Sequence, residues 1–297
     1  MTPLAQTDLV WGAWRARQNQ HTREPSGFAD LLARCLDLDI DWIDHADIYD
    51  DGAVEALHGE ALAHLDAEQL KRLHVITKCG VRFPSPGQPG VRTVHYRSDA
   101  AYIQQQAEAS LKRLGVEQIG LYLLHRPDYL MRADETARAL EDLVSAGKVA
   151  AYGASNFSIH QLSRLQAASD LPIAAHQIEI SVCESSALDD GRLDRAAQAS
   201  MPLLAWSPLA GGRLFGGSDA FAPVRACLER VQQDMDAGGI DEIALAWLKN
   251  LPAHTIPILG TMKPERLERQ ANAYRQITLD RQDWYALLEA ARGAPVP

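Results

Sequence analysis

Apolar residues along this chain fall into short, near-continuous runs separated by longer stretches with helical spacing, and the alternation repeats from end to end. The first run, residues 9–14 (LVWGAW), holds a glycine and two tryptophans and predicts a strand. A helix is expected at 26–38, where Phe28, Leu31, Leu32 and Cys35 share a face and Ser26 offers a cap. Residues 41–46 predict a second strand, 54–65 a helix, and the β-branched run 74–80 a third strand ended by Gly80. Residues 81–98, rich in Pro, Gly and Arg, keep no period and read as a long functional excursion. A capped helix then runs from Ser98 and Asp99 to Gly115, which stops it.

The same pattern continues with strands at 119–126, 149–155, 173–180, 202–206 and 255–259. Helices are expected between them at 134–146, 158–169, 188–199 and 240–251, with a glycine-rich loop (Gly211, Gly212, Gly216, Gly217) after the seventh strand. Pro264 opens a helix at its first turn, a position proline tolerates, and an extra C-terminal helix lies at 281–291. Eight strands with no wet face, each separated by helix, imply a parallel sheet covered by helices. In a chain of 297 residues they match an α/β fold of the (β/α)8 TIM-barrel type, read as one domain over 1–297. A G-x-G-x-x-G turn is absent after the first strand, which disfavours a Rossmann domain.

Composition narrows the partners. With 46% hydrophobic residues the chain can bury a large core, and its formal charge of -10 disfavours nucleic acid or an anionic membrane as partner. Cys35, Cys79, Cys183 and Cys227 are scattered, without zinc-site spacing or a disulfide framework, and no apolar run reaches membrane-spanning length. A soluble, cytoplasmic protein is expected, with its oligomeric state open.

In a (β/α)8 barrel the chemistry sits at the carboxyl ends of the strands. Asp44 and Tyr49 lie at or beyond the end of the second strand, Lys78 at the end of the third and His125 at the end of the fourth, so all four face one mouth. Singly, such residues are more often rim or core groups. Lys78 is the hardest to set aside, because an apolar strand that points a cation inward needs an anion nearby, and Asp44 is the obvious one. His45, Asp47, His125 and His176 suggest a metallohydrolase alternative, but the paired HxH of the first strand is missing and no metal is expected.

The wording of these strand ends resembles the aldo-keto reductase superfamily, in its bacterial oxidoreductase branch. WIDHADIY, ITKCG, LYLLHRPD, YGASNFS, AWSPLAGG and PILGTMKPERLE are similar to its signatures, in order and over nearly the whole chain. The resemblance implies NADPH-dependent reduction of a small carbonyl substrate. Tyr49 would be the proton donor, Lys78 the cation that lowers its pKa, Asp44 the partner of Lys78, and His125 a hydrogen-bonding group at the substrate oxygen. By the same resemblance Ser155, Asn156 and Gln177 bind the nicotinamide carboxamide and Trp206 stacks on its ring. Ser207, Pro208 and Leu209 would begin the cofactor loop, and Gly211 and Gly212 would let its backbone approach the pyrophosphate. Gly260, Thr261, Lys263 and Arg266 would take the 2′-phosphate, and Gln270 an adenine contact. Arg269-Gln270 departs from the usual Glu-Asn, and Arg269 is expected to add to phosphate binding. Glu55 matches a position near the adenosine, with an ordinary helix-face carboxylate as its alternative. Trp14, Phe83 and Tyr129 are candidate walls of a substrate pocket. The short N-terminus leaves room for only a partial floor hairpin. The competing class is a nucleotide-binding sensor or interaction subunit with little turnover.

Overall fold

The computed structural model describes residues 3–216 and 219–296; Gly217 of the glycine-rich loop lies outside the described residues. Eight strands form a closed barrel: β1 (Val10–Gly12), β2 (Trp42–Asp44), β3 (His74–Cys79), β6 (Leu121–Leu124), β7 (Tyr152–Ser155), β8 (His176–Glu179), β9 (Leu203–Trp206) and β10 (Thr255–Leu259). Neighbours follow one another in chain order around the ring, and the recorded barrel pairings are parallel. Each predicted strand is present but most are trimmed at the ends, where the chain is already turning into a loop. By compactness the chain divides into two units, one ending at Gln177 and one starting at Ile178, so the division falls within β8.

The helices are α1 (Pro25–Asp37), α2 (Ala53–Ala61), α3 (Ala67–Arg72), α4 (Ala100–Leu114), α5 (Ala133–Ser145), α6 (Ile159–Ala167), α7 (Arg192–Gln198), α8 (Ala222–Asp234), α9 (Ile240–Lys249), α10 (Pro264–Gln276) and α11 (Arg281–Arg292). Among the described residues none is long and apolar enough to cross a membrane. The expected face of α1 is buried, with Phe28 edge-on to Trp11 at 5.4 Å, a pairing that adds about 1 kcal/mol to the area it buries.

The structure corrects several expectations. Ser26 lies inside α1; Glu24 holds the cap position without a side-chain bond, and Pro25 supplies the preset first turn. The helix expected at 54–65 ends at Ala61, followed by a 3-10 turn at Leu62–His64 and then α3, whose start is fixed by a reciprocal cap between Asp66 and Gln69. The helix expected at 188–199 begins only at Arg192. The excursion 81–98 contains an antiparallel pair, β4 (Val81–Arg82) with β5 (His95–Tyr96). Helix α8 is an additional element after the glycine-rich loop. Among the described residues no floor hairpin precedes β1; Pro3–Gln6 forms a 3-10 turn with Leu4 buried.

Candidate active site

Alternation along the strands sorts the polar groups. On β3, Thr77 reaches outward to Glu55 of α2, while Lys78 turns inward to Asp44 at the end of β2. Lys78 is fully buried, so its ammonium has exchanged water for protein partners. Its Nζ donates to Asp44 Oδ2 at 2.7 Å, to the His45 carbonyl at 2.6 Å and to Tyr49 Oη at 3.2 Å. Asp44 is buried as well, and its other oxygen accepts from Gln177 Nε2 at 2.8 Å. Tyr49 Oη lies 3.5 Å from Asp44 Oδ2, and its ring meets His125 edge-on at 6.3 Å and Trp14 at 6.5 Å. Three side chains, Asp44, Lys78 and His125 from the ends of β2, β3 and β6, thus surround the Tyr49 phenol and complete a tetrad with it.

Their protonation states follow from that enclosure. Burial works against the Lys78 cation, but the Asp44 carboxylate and the Tyr49 oxygen outweigh it and hold the lysine charged. Burial, the Lys78 charge and Arg126 together keep His125 neutral, far below the usual imidazole range. For Tyr49 burial dominates: the phenol is pushed up to about 12, with Lys78 pulling down and Asp44 adding to the rise. This corrects the expectation of a lowered tyrosine value. Because Asp44 already neutralises Lys78, the cation's pull is less than the cost of burying a phenolate.

Behind the tetrad lies a second layer of buried groups. His45 Nε2 and His58 Nδ1 are 3.1 Å apart, both rings are fully buried, and Phe28 packs edge-on against His58. Glu55, also fully buried, accepts from Thr77 Oγ1 at 2.5 Å, Arg113 Nε at 2.7 Å and Ser110 Oγ at 3.2 Å. It is thus the helix-face carboxylate of the two readings, a buried one whose oxygens are taken up by Thr77, Ser110 and Arg113 rather than offered to an adenosine, and it fixes the outer side of β3 to α4. Asp47 is buried nearby, and burial and Glu55 push its carboxyl up to about 8, against the pull of Arg113 and Arg82. Among the described residues no group of three or more His, Cys, Asp or Glu side chains is placed to hold a metal ion.

The histidine pair has a consequence for stability. Burial lowers His58 to about 4, and burial, His58 and Lys78 lower His45 further, so the folded protein keeps both neutral. The unfolded chain takes up protons first as pH falls through about 6.5, so stability is complete above that value and is lost between 6.5 and 4. Between pH 7.5 and pH 5 each ring should therefore lower the urea-unfolding free energy by about 2 kcal/mol relative to a chain lacking it, against the opposite contribution of the protonated Asp47, which wild type and variant share. The double variant His45→Leu, His58→Leu should flatten that dependence; an equally steep loss in it would remove the pair as the cause.

Two further strand ends carry the remaining candidates of the first unit. Ser155 closes β7, and Asn156 follows in the left-handed region (φ 62), donating Nδ2 to Ser155 Oγ at 2.8 Å and to the His125 carbonyl at 3.2 Å. The Asn156 N–H donates to the Gln177 carbonyl at 2.8 Å, so Ser155, Asn156 and Gln177 form one cluster adjoining Asp44. Trp14 is brought against Tyr49, Phe83 is half-buried, and Tyr129 stands exposed on the loop after β6.

In the second unit Trp206 closes β9, and the chain from Ser207 through Pro208 and Leu209 to Gly212 bends through left-handed conformations at Ser207, Ala210, Gly211 and Gly212. After β10, Gly260 and Thr261 lead into α10; Thr261 Oγ1 accepts from the Lys263 N–H at 3.2 Å, and Lys263 and Arg266 are exposed at the helix start. Arg269 does not add to this basic corner. Its guanidinium clasps Asp241 at 2.8 and 3.0 Å and also binds Glu242, while Gln270 Nε2 donates to Asp241 Oδ2 at 2.8 Å. The reversed charge at 269 is matched by two carboxylates at the start of α9.

The profile of the Aldo/keto reductase family matches residues 8–292, and the chain belongs to that family. A 6-dehydroglucose reductase of Agrobacterium fabrum is 37% identical over 97% of this chain and 95% of its own length. Among solved structures, the glycerol dehydrogenase AKR11B4 from Gluconobacter oxydans shares the fold with a TM-score of 0.84 at 24% identity, covering 100% of this chain and 96% of that one. An aldo-keto reductase from Klebsiella pneumoniae, solved in complex with NADPH, shares it with a TM-score of 0.76 at 24% identity, covering 98% and 92%.

Proposed function

We propose that this protein reduces an aldehyde or ketone to the alcohol with NADPH, Tyr49 supplying the proton. The observation that carries this reading is the 3.2 Å contact between Tyr49 Oη and a fully buried Lys78 ammonium that Asp44 holds at 2.7 Å. A phenol kept protonated at neutral pH has a proton to give. As it passes to the carbonyl oxygen, the Lys78 charge stabilises the phenolate left behind. His125, held neutral against the tyrosine ring, is suited to hydrogen-bond the same oxygen without competing as a charge.

The chain's own residues suit the nucleotide. Ser155 and Asn156 would bind the carboxamide, with Gln177 accepting through its carbonyl because its amide nitrogen is given to Asp44. Trp206 would stack on the ring, and the left-handed turn after Ser207 lets backbone approach the pyrophosphate. Lys263 and Arg266, exposed at the N-terminus of α10, would suit a 2′-phosphate in charge, which favours NADPH over NADH. When bound, the nucleotide supplies the hydride. Gln270, turned to Asp241, would reach adenine only by rearranging that bond.

The test is NADPH consumption with simple aldehydes, ketones and a sugar aldehyde such as the one for which the Agrobacterium relative is named. Steady turnover insensitive to a chelator, with NADPH bound more tightly than NADH, is expected. Tighter binding of NADH, or no consumption with any carbonyl, would defeat the proposal.

A further inference from the structure

Tyr49 opens a turn, Tyr49–Gly52, that holds three consecutive left-handed residues: Asp50 (φ 51), Asp51 (φ 52) and Gly52 (φ 88). Gly52 is required, since a Cβ there would also lie 2.9 Å from the Arg113 guanidinium. The two aspartates hold a conformation disfavoured for side chains with a Cβ, and each reaches a different neighbouring loop. Asp50 pairs with Arg17, on the loop after β1 that also carries Trp14. Asp51 Oδ1 accepts from Ser85 Oγ at 2.8 Å and from Gln88 Nε2 at 3.4 Å, both on the excursion after β3 that carries Phe83. Gln88 is buried, and its Oε1 accepts from the Phe83 N–H at 3.4 Å. Gly87 packs so closely that a Cβ there would stand 2.8 Å from the Asp51 Cβ.

The two residues that follow the proton donor are thus the anchors of the two loops that bring aromatic side chains beside it. Surface bonds of this kind add little to global stability, so their effect falls on where the loops sit. We infer that Asp51, aided by Asp50, is a positioning residue that pins the 81–98 excursion to the Tyr49 turn and thereby sets which carbonyl substrates reach the tyrosine. The inference rests on the proposed reductase function for its substrate half; the tether itself does not.

Asp51→Gly is the discriminating variant, because glycine accepts the left-handed backbone while losing the side chain. Asp51→Asn keeps both the acceptor and the left-handed preference, and Gly87→Ala should push the loop away from Asp51. Amide hydrogen exchange over residues 81–98 should rise about tenfold in Asp51→Gly and Gly87→Ala and stay at the wild-type rate in Asp51→Asn. With NADPH, KM for a hexose-sized aldehyde should rise several-fold more than KM for a three-carbon aldehyde in the first two variants, with wild-type values in Asp51→Asn and NADPH affinity unmoved throughout. Unchanged exchange in Asp51→Gly, or equal loss in Asp51→Asn, would overturn the tether. Raised exchange with an unchanged ratio of the two KM values would overturn the role in substrate choice. A wild-type protein without turnover would refute the reductase reading instead, while the exchange measurement would still decide the tether.

Discussion

Replacing Tyr49 with phenylalanine should lower kcat and kcat/KM for carbonyl reduction together, by a factor of about 10³, while leaving NADPH affinity within about twofold. The substitution removes one oxygen. It leaves the ring against His125 and Trp14, and it leaves Lys78 its bonds to Asp44 and the His45 carbonyl. Packing and charge balance are preserved, so a loss confined to turnover identifies the phenol as the proton source. Stopped-flow and steady-state rates of NADPH oxidation, with a fluorescence titration of NADPH, separate the two quantities. Turnover retained in Tyr49→Phe would remove Tyr49 from its role.

The second large effect concerns the ion pair beneath the tyrosine. Lys78→Met fits an unbranched side chain into the same inward position but leaves Asp44 buried without its cation, with Gln177 still donating. Removing one partner of a buried pair costs about 3–5 kcal/mol, because the remaining charge is neither solvated nor neutralised. Denaturant unfolding should register that loss, and reduction should fall with it. Adding Asp44→Asn should return part of the stability, since Asn keeps an acceptor for Gln177 and no longer buries a charge, and should return none of the activity. Strictly additive stability losses in the double variant would mean that the two residues do not act as a pair.

Much of the fold is written in the chain because its signals are redundant. Eight apolar runs, each bounded by a turn or cap, leave few alternatives to a closed parallel barrel, and the strand ends then place Asp44, Tyr49, Lys78 and His125 together. What escapes is what depends on partners distant in sequence. His58 reads as one position of a helix, and only the folded chain brings it to His45, thirteen residues earlier. Glu55 reads equally as a helix-face carboxylate or a neighbour of the adenosine until Thr77, Ser110 and Arg113 converge on it. Arg269 reads as a spare cation because Asp241 and Glu242 lie nearly thirty residues earlier. Helix α8 is different: Val224, Leu228 and Val231 mark its buried face at helical spacing, but the glycine loop before it and its many polar residues dilute the signal.

The rise of the Tyr49 pKa shows the same limit in electrostatic form. Sequence places a lysine beside a tyrosine and suggests a lowered value; the structure shows the lysine already balanced by Asp44 and the phenol enclosed, and the sign reverses. For the proposed reduction the outcome is favourable, since a phenol protonated across the neutral range would have a proton to give and the Lys78 charge would act on the phenolate as it formed.

The proposed hydride transfer from NADPH to a carbonyl carbon leaves an isotopic mark on the product. Incubating the protein with an aldehyde and NADPH carrying deuterium at both C4 positions of the nicotinamide should give an alcohol with deuterium on its carbinol carbon, formed equally well in the presence of a chelator. Binding of the labelled nucleotide without any labelled alcohol, across aldehydes, ketones and sugar aldehydes, would contradict the account and leave a barrel that binds the nucleotide without reducing a carbonyl.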